Sequence, residues 1–163
     1  MKTTLLSIVL SCMLSAAVAQ SLRITSVNPV SNEITLTNFG SADDFSSYRL
    51  CSLLQYQGLD GGEVTITSGD FMLEMGESVS IIWDEAIGMN AAGADLGLYL
   101  ASGSFGASEN MVDFVQWESG GNGRESVAVS AGLWAVGTFV SGDAPYSYSG
   151  DGDQNGVNFW ESF

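Results

Sequence analysis

Apolar and polar residues alternate with a period of two along most of the chain, the pattern of strands that bury one face. Glu33-Ile34-Thr35-Leu36-Thr37 is the clearest case, with Ile34 and Leu36 on one side and Glu33 and the threonines on the other. Leu22-Arg23-Ile24, Tyr48 to Leu54, Glu63-Val64-Thr65-Ile66-Thr67 and Phe71-Met72-Leu73 read the same way. So do Ser78 to Trp83, Leu96 to Leu100, Met111 to Trp117 and Ser126-Val127-Ala128-Val129. Turn-forming clusters separate them, among them Asn28-Pro29, Ser31-Asn32, Asp60-Gly61-Gly62, Ser68-Gly69-Asp70 and Gly120-Gly121-Asn122-Gly123. No window of useful length shows the helical period, and Met89 to Asp95 is irregular, a loop or a single helical turn. About nine short strands with turn chemistry between them predict an all-β sandwich or barrel. A sandwich would leave the Thr, Ser and Glu positions in water.

The first residues break this pattern. Met1-Lys2 is a short positive start, Leu5 to Val18 is apolar or small, and Ala17-Val18-Ala19 offers a small-x-small cleavage site before Gln20. Residues 1–19 therefore read as a signal peptide, and the protein as secreted or extracytoplasmic, in a periplasm or at a cell surface. Cys12 lies inside this leader, so Cys51 would be the one cysteine of the mature chain and no internal disulfide could form. Its neighbours Leu50 and Leu53 read as core, which makes Cys51 a buried small hydrophobe. No later stretch is long enough to span a membrane as a helix. Residues 20–140 read as one domain. Residues 141–163 form an acidic Gly/Ser/Asp-rich tail whose Tyr146, Tyr148, Phe159 and Trp160 would dock it on the same body.

Charge narrows the partners. The formal net charge is −15, and loss of Lys2 with the leader makes it one unit more negative, leaving Arg23, Arg49 and Arg124 as the mature chain's cations. Such a field repels phosphate backbones and anionic membrane surfaces, so nucleic acid is not an expected partner. Disorder is not implied, because 45% of residues are hydrophobic.

The chemistry available is narrow. Histidine is absent. With Lys2 removed, His-based triads, lysine Schiff bases and histidine-ligated metal sites are all excluded. Carboxylates remain, and an acid-dyad glycosidase is the enzymatic alternative. The adjacent pairs Asp43-Asp44 and Asp84-Glu85 diverge on a strand and read as solvated loops instead. Gly120-Gly121-Asn122-Gly123-Arg124 superficially matches a phosphate loop, but the strand-like Ser126 to Val129 after it favours a hairpin, with Arg124 paired to a carboxylate. Asp151-Gly152-Asp153-Gln154-Asn155-Gly156 fits the start of a calcium loop, with Asp151, Asp153 and Asn155 as candidate ligands. The bidentate acid such a loop needs falls at Ser162, so an acidic turn before an aromatic anchor is the competing reading, with no cofactor. Trp83 and Trp117 end apolar strands and read as core, whereas Trp134 and Trp160 are candidates for a sugar-stacking platform.

Several segments, in order, resemble the lamin tail domain, an immunoglobulin-like β-sandwich also found in exported bacterial proteins. Glu33 to Gly40 is similar to that family's "E-[IL]-x-[LI]-x-N-x-G" strand and turn. Asp44 to Leu50 resembles its "dlsgW-x-L" segment with Tyr48 at the Trp position, and Leu73 to Val79 its "L-x-P-G-e-x-v" turn with Met75 at the Pro position. Asp95 to Leu100, Val112 to Trp117 and Gly123 to Ser126 are similar to its closing strands. The resemblance spans about residues 22–140. It implies an immunoglobulin-like sandwich and a non-catalytic binding or scaffolding module without an active site, whose partner would be a protein, a cell-surface component or a glycan. A carbohydrate-binding module using exposed tryptophans is the second reading.

Overall fold

The computed structural model describes residues 21–84 and 88–163. The segment expected to be a signal peptide, residues 1–19 with Ala17-Val18-Ala19, and Glu85 of one acid pair lie outside the described residues. Among the described residues the chain forms an all-β sandwich with one short α-helix and two single 3-10 turns. In order come β1 (Leu22–Asn28), β2 (Glu33–Asn38), β3 (Asp43–Asp44), β4 (Arg49–Ser52), β5 (Gln55–Gly58) and β6 (Val64–Ser68). Then follow β7 (Met72–Leu73), β8 (Ser78–Trp83), β9 (Ala94–Tyr99), β10 (Met111–Trp117), the helix α1 (Glu125–Ser130), β11 (Tyr146–Tyr148) and β12 (Trp160–Ser162). Among the described residues, twelve strands replace the nine read from periodicity. No helix among the described residues is long and apolar enough to cross a membrane.

One sheet has six strands in the order β12-β11-β1-β2-β8-β6, and the other has four, β10-β9-β4-β5. A two-stranded ribbon, β3-β7, stands beside them. Alternation does its work in β2 and β8. Ile34, Leu36, Val79, Ile81 and Trp83 are buried against the facing sheet, in one cluster with Leu50, Leu96, Leu98 and Phe114. Thr35 and Thr37 face outward, where hydroxyl contacts run across strands: Thr35 to Ser80 at 3.1 Å, Thr37 to Ser78 at 2.8 Å and Thr25 to Thr37 at 2.7 Å. In β9 and β10 every residue is buried, because loops and α1 cover the second face of that sheet.

Two expectations fail here for identifiable reasons. Tyr48 to Leu54 is not one strand: Leu53 and Leu54 take φ of 44° and 67° and turn β4 back into β5. Ser126 to Val129 is not a strand but part of α1, which packs Val127 and Ala128 inward beside β10. The Gly-rich segment before it therefore leads into a helix, not a hairpin. The tail does more than rest on the body: β11 pairs antiparallel with β1, and β12 with β11, so residues 146–162 complete the large sheet.

Candidate functional site

Among the described residues, three buried carboxylates and one buried guanidinium are the groups with most chemical potential, and each has a definite task. Asp113, on β10, reaches across the sandwich, where its Oδ2 lies 3.0 Å from Arg23 Nε and accepts the Ile24 N–H at 2.8 Å. Its Oδ1 accepts the Phe114 N–H at 2.8 Å. Burial pushes the Asp113 carboxyl up from its ordinary value, against the pull of Arg23 and of both N–H groups. The Arg23 guanidinium, 1% exposed, also donates to the Gly152 and Gln154 carbonyls at 3.0 Å each and lies over the Tyr148 ring. One arginine thus joins both sheets and the tail.

Asp95, on β9, accepts the Leu53 N–H and the Arg124 N–H at 2.7 Å each, holding the β4–β5 turn and the start of α1. Burial raises its carboxyl above the ordinary value, although those two N–H groups oppose the shift. A side chain at Gly123, where φ is +22°, would place Cβ 2.6 Å from Asp95 Oδ2, so glycine is what allows this close approach. The glycine-rich loop does cradle an anion, but the anion is the protein's own carboxylate. Glu125 completes the set by accepting the Gly137 N–H.

Among the described residues Arg124 makes no carboxylate ion pair of the kind its charge suggested. Its guanidinium donates to the Tyr56 hydroxyl and lies over that ring, on which Phe105 packs at 4.3 Å between centroids. Arg49, at the start of β4, lies over the Phe105 ring and donates to the Leu100 and Gly103 carbonyls. Cys51 is buried, and burial together with Asp95 pushes its thiol up to about 11.

The predicted calcium ligands Asp151, Asp153 and Asn155 all lie exposed on the tail loop. Asp151 Oδ1 accepts the Asp153 N–H at 3.3 Å, and the Asp151 N–H donates to Gln154 Oε1 at 2.7 Å. Hydrogen bonding, with Gln154 first and the Asp153 N–H second, lowers the Asp151 carboxyl from its ordinary value. The loop turns two carbonyls inward to Arg23, a cation already in place. Among the described residues no three acids, cysteines or histidines come together in a metal-holding group. The loop lies against Phe39: a Cβ at Gly152, where φ is +102°, would sit 2.6 Å from that ring.

All four tryptophans are buried, which removes the platform that Trp134 and Trp160 were to form. Trp134 is 5% exposed, packs edge-on against Phe114 and donates Nε1–H to the Thr138 carbonyl at 2.7 Å. Trp160 is 6% exposed and packs on Tyr148. Trp134 and Asn155 do meet along the wall of one open groove of about 380 Å³, with Thr138 and Asn158. Of the acid pairs, Asp43 and Asp44 are exposed and accept the N–H groups of Asp44 and Ser46, while Asp84 accepts the Thr65 hydroxyl at 2.7 Å.

One region is left open. β6 ends the six-stranded sheet, and no described strand lies beyond it. Its sequence Val-Thr-Ile-Thr-Ser has no charge or proline, the usual guards of a sheet edge. Ile66 stays 43% exposed although it pairs with buried Ile81. Just past β6, Gly69, Asp70, Met72, Leu73, Glu77 and Ser78 line a hollow of about 260 Å³. Exposed Asp60, Glu63 and Asp70 flank the strand in sequence, exposed Asp84 follows its partner strand β8, exposed Glu77 lines the hollow with Asp70, and from Leu50 to Gly123 the chain has no Lys or Arg. Periodicity marked β6 as a strand but could not show that it stands at an edge. Set against known family models, curated proteins and solved structures, the chain matches none.

Proposed function

We propose that this is an exported, non-catalytic binding or scaffolding module of the lamin-tail type, presenting a rigid sandwich to an extracellular partner. The observation that carries the reading is the use made of the buried acids. Asp95 and Asp113 each accept two backbone N–H groups and Glu125 accepts one, and so they fasten strands, turn and helix. A catalytic carboxylate must instead face a cleft where it can reach substrate. Export is supported by the leader, and the module class by the ordered run of segments between residues 22 and 140.

The test uses residues 20–163 as secreted. Chemical cross-linking in the native extracellular fraction should give a defined adduct, while a panel of chromogenic glycosides should give no turnover. Turnover that is lost when a single carboxylate is changed to its amide would overturn the proposal.

A further inference from the structure

The open edge has a specific geometry. Asp84 N–H donates to the Glu63 carbonyl at 2.8 Å, so residues 63 and 65 turn their backbone groups toward β8. In an antiparallel ladder the intervening residues point the other way. The Ile66 N–H and C=O and the Val64 C=O therefore point outward, while the Val64 N–H closes a turn onto the Gly61 carbonyl. The register shift between Ile66 and Ser68 ends this flat run, so an added strand would be short. Val64 and Ile66 sit on the core side of the sheet, opposite Trp83 and Ile81; Thr65 lies on the outer side, where it contacts Asp84.

From this geometry we propose that β6 is a docking edge for an extended segment of another protein that alternates apolar and basic residues. The proposal rests on the binding-module reading and names its partner chemistry. Main-chain hydrogen bonds to Ile66 hold the segment, as in other strand-addition complexes. Its apolar side chains cover Ile66 and extend the core. Its basic side chains alternate onto the outer side, toward Glu63 and Asp84. One at the far end enters the hollow, where its aliphatic stem lies on Met72 and Leu73 and its charge meets Asp70 and Glu77. Asp70 Oδ1 already accepts the Met72 N–H, and Glu77 Oε2 the Glu74 N–H, so both carboxylates are held in place by backbone. A second copy of this chain is the wrong occupant, since its own β6 brings the same flanking acids and no cation.

The probe is a capped nine-residue peptide alternating lysine and valine, with a glutamate-for-lysine peptide as control, titrated into residues 20–163 at low salt. The lysine peptide should bind, the control should not, and amide exchange should slow at Ile66. Ile66→Lys, which puts a repelling guard on the edge, should weaken binding by about tenfold or more. Ile66→Pro, which removes the outward N–H, should do the same; circular dichroism of both variants establishes that they fold. Asp70→Asn with Glu77→Gln should weaken binding without moving the melting temperature. No binding, or binding that leaves Ile66 exchange unchanged and survives Ile66→Lys, would overturn the edge proposal. If the extracellular adduct still forms with Ile66→Lys, the edge is wrong and the module reading stands.

Discussion

Removing the guanidinium of Arg23 is the sharpest probe of how this sandwich holds together. Arg23→Met keeps most of the length and apolar stem but deletes the guanidinium that meets Asp113 Nε-to-Oδ2 at 3.0 Å and the carbonyls of Gly152 and Gln154 at 3.0 Å each. Asp113, 1% exposed, is then left with the N–H groups of Ile24 and Phe114 alone. Breaking a buried pair from one side costs about 3–5 kcal/mol, because the remaining charge stays desolvated. At about 2–4 °C per kcal/mol for a chain near this size, the melting temperature should fall by about 6–20 °C. The companion Asp113→Asn should also destabilise, and the double variant should cost less than the two losses together, since it leaves no unpaired charge. The two singles differ in a second respect. Only Arg23→Met releases the carbonyls of the tail loop, so limited proteolysis near residues 150–156 should accelerate in that variant and not in Asp113→Asn. Thermal melts by circular dichroism and a proteolysis time course read both effects. An unchanged melting temperature for Arg23→Met would refute the reasoning, as would equal tail cleavage in the two variants.

Three further outcomes follow from the other buried and loop groups. Asp95 keeps its proton to higher pH when folded than when unfolded. Its stabilising contribution is therefore fully present below the ordinary carboxyl range and is lost as pH rises through the raised value. The margin in melting temperature of the parent over Asp95→Asn should shrink across that interval, and a margin that grows would contradict the assignment. Calcium and magnesium should shift the melting temperature alike, and Asp151→Ala with Asp153→Ala should not separate them, because the loop carbonyls of Gly152 and Gln154 already face Arg23. A calcium-specific rise lost in that double variant would restore the metal site. Cys51, buried with its thiol pushed up to about 11, should resist iodoacetamide at pH 8 in the folded protein and react promptly in denaturant.

The strands that could be read directly are those whose two faces meet different surroundings. β2 and β8 have core on one side and water on the other, so Ile34 and Leu36, or Val79 and Ile81, alternate cleanly with Thr35 or Ser80. β10 was legible by its apolar run, since both of its faces are covered. β5, β11 and β12 were not, because strands of three or four residues are too short to show a period and gain their pairing from neighbours already in place. Ser126 to Val129 misled for a related reason: Val127 and Val129 are spaced two apart, yet the local backbone is decided by Asp95, a residue of β9 that holds the Arg124 N–H where a helix can begin. The same carboxylate holds Leu53 in a turn that carries no glycine or asparagine to announce it.

The candidate chemistry divides in the same way. Absence of histidine, the acidic balance and the composition of Val64–Ser68 are properties of the chain alone. That Trp134 and Trp160 are buried, that Arg23 closes the tail loop and that β6 stands at an edge follow only from long-range pairing. Exposure and edge position belong to the assembled sheets, and residues as distant as Arg23 and Gly152 set them.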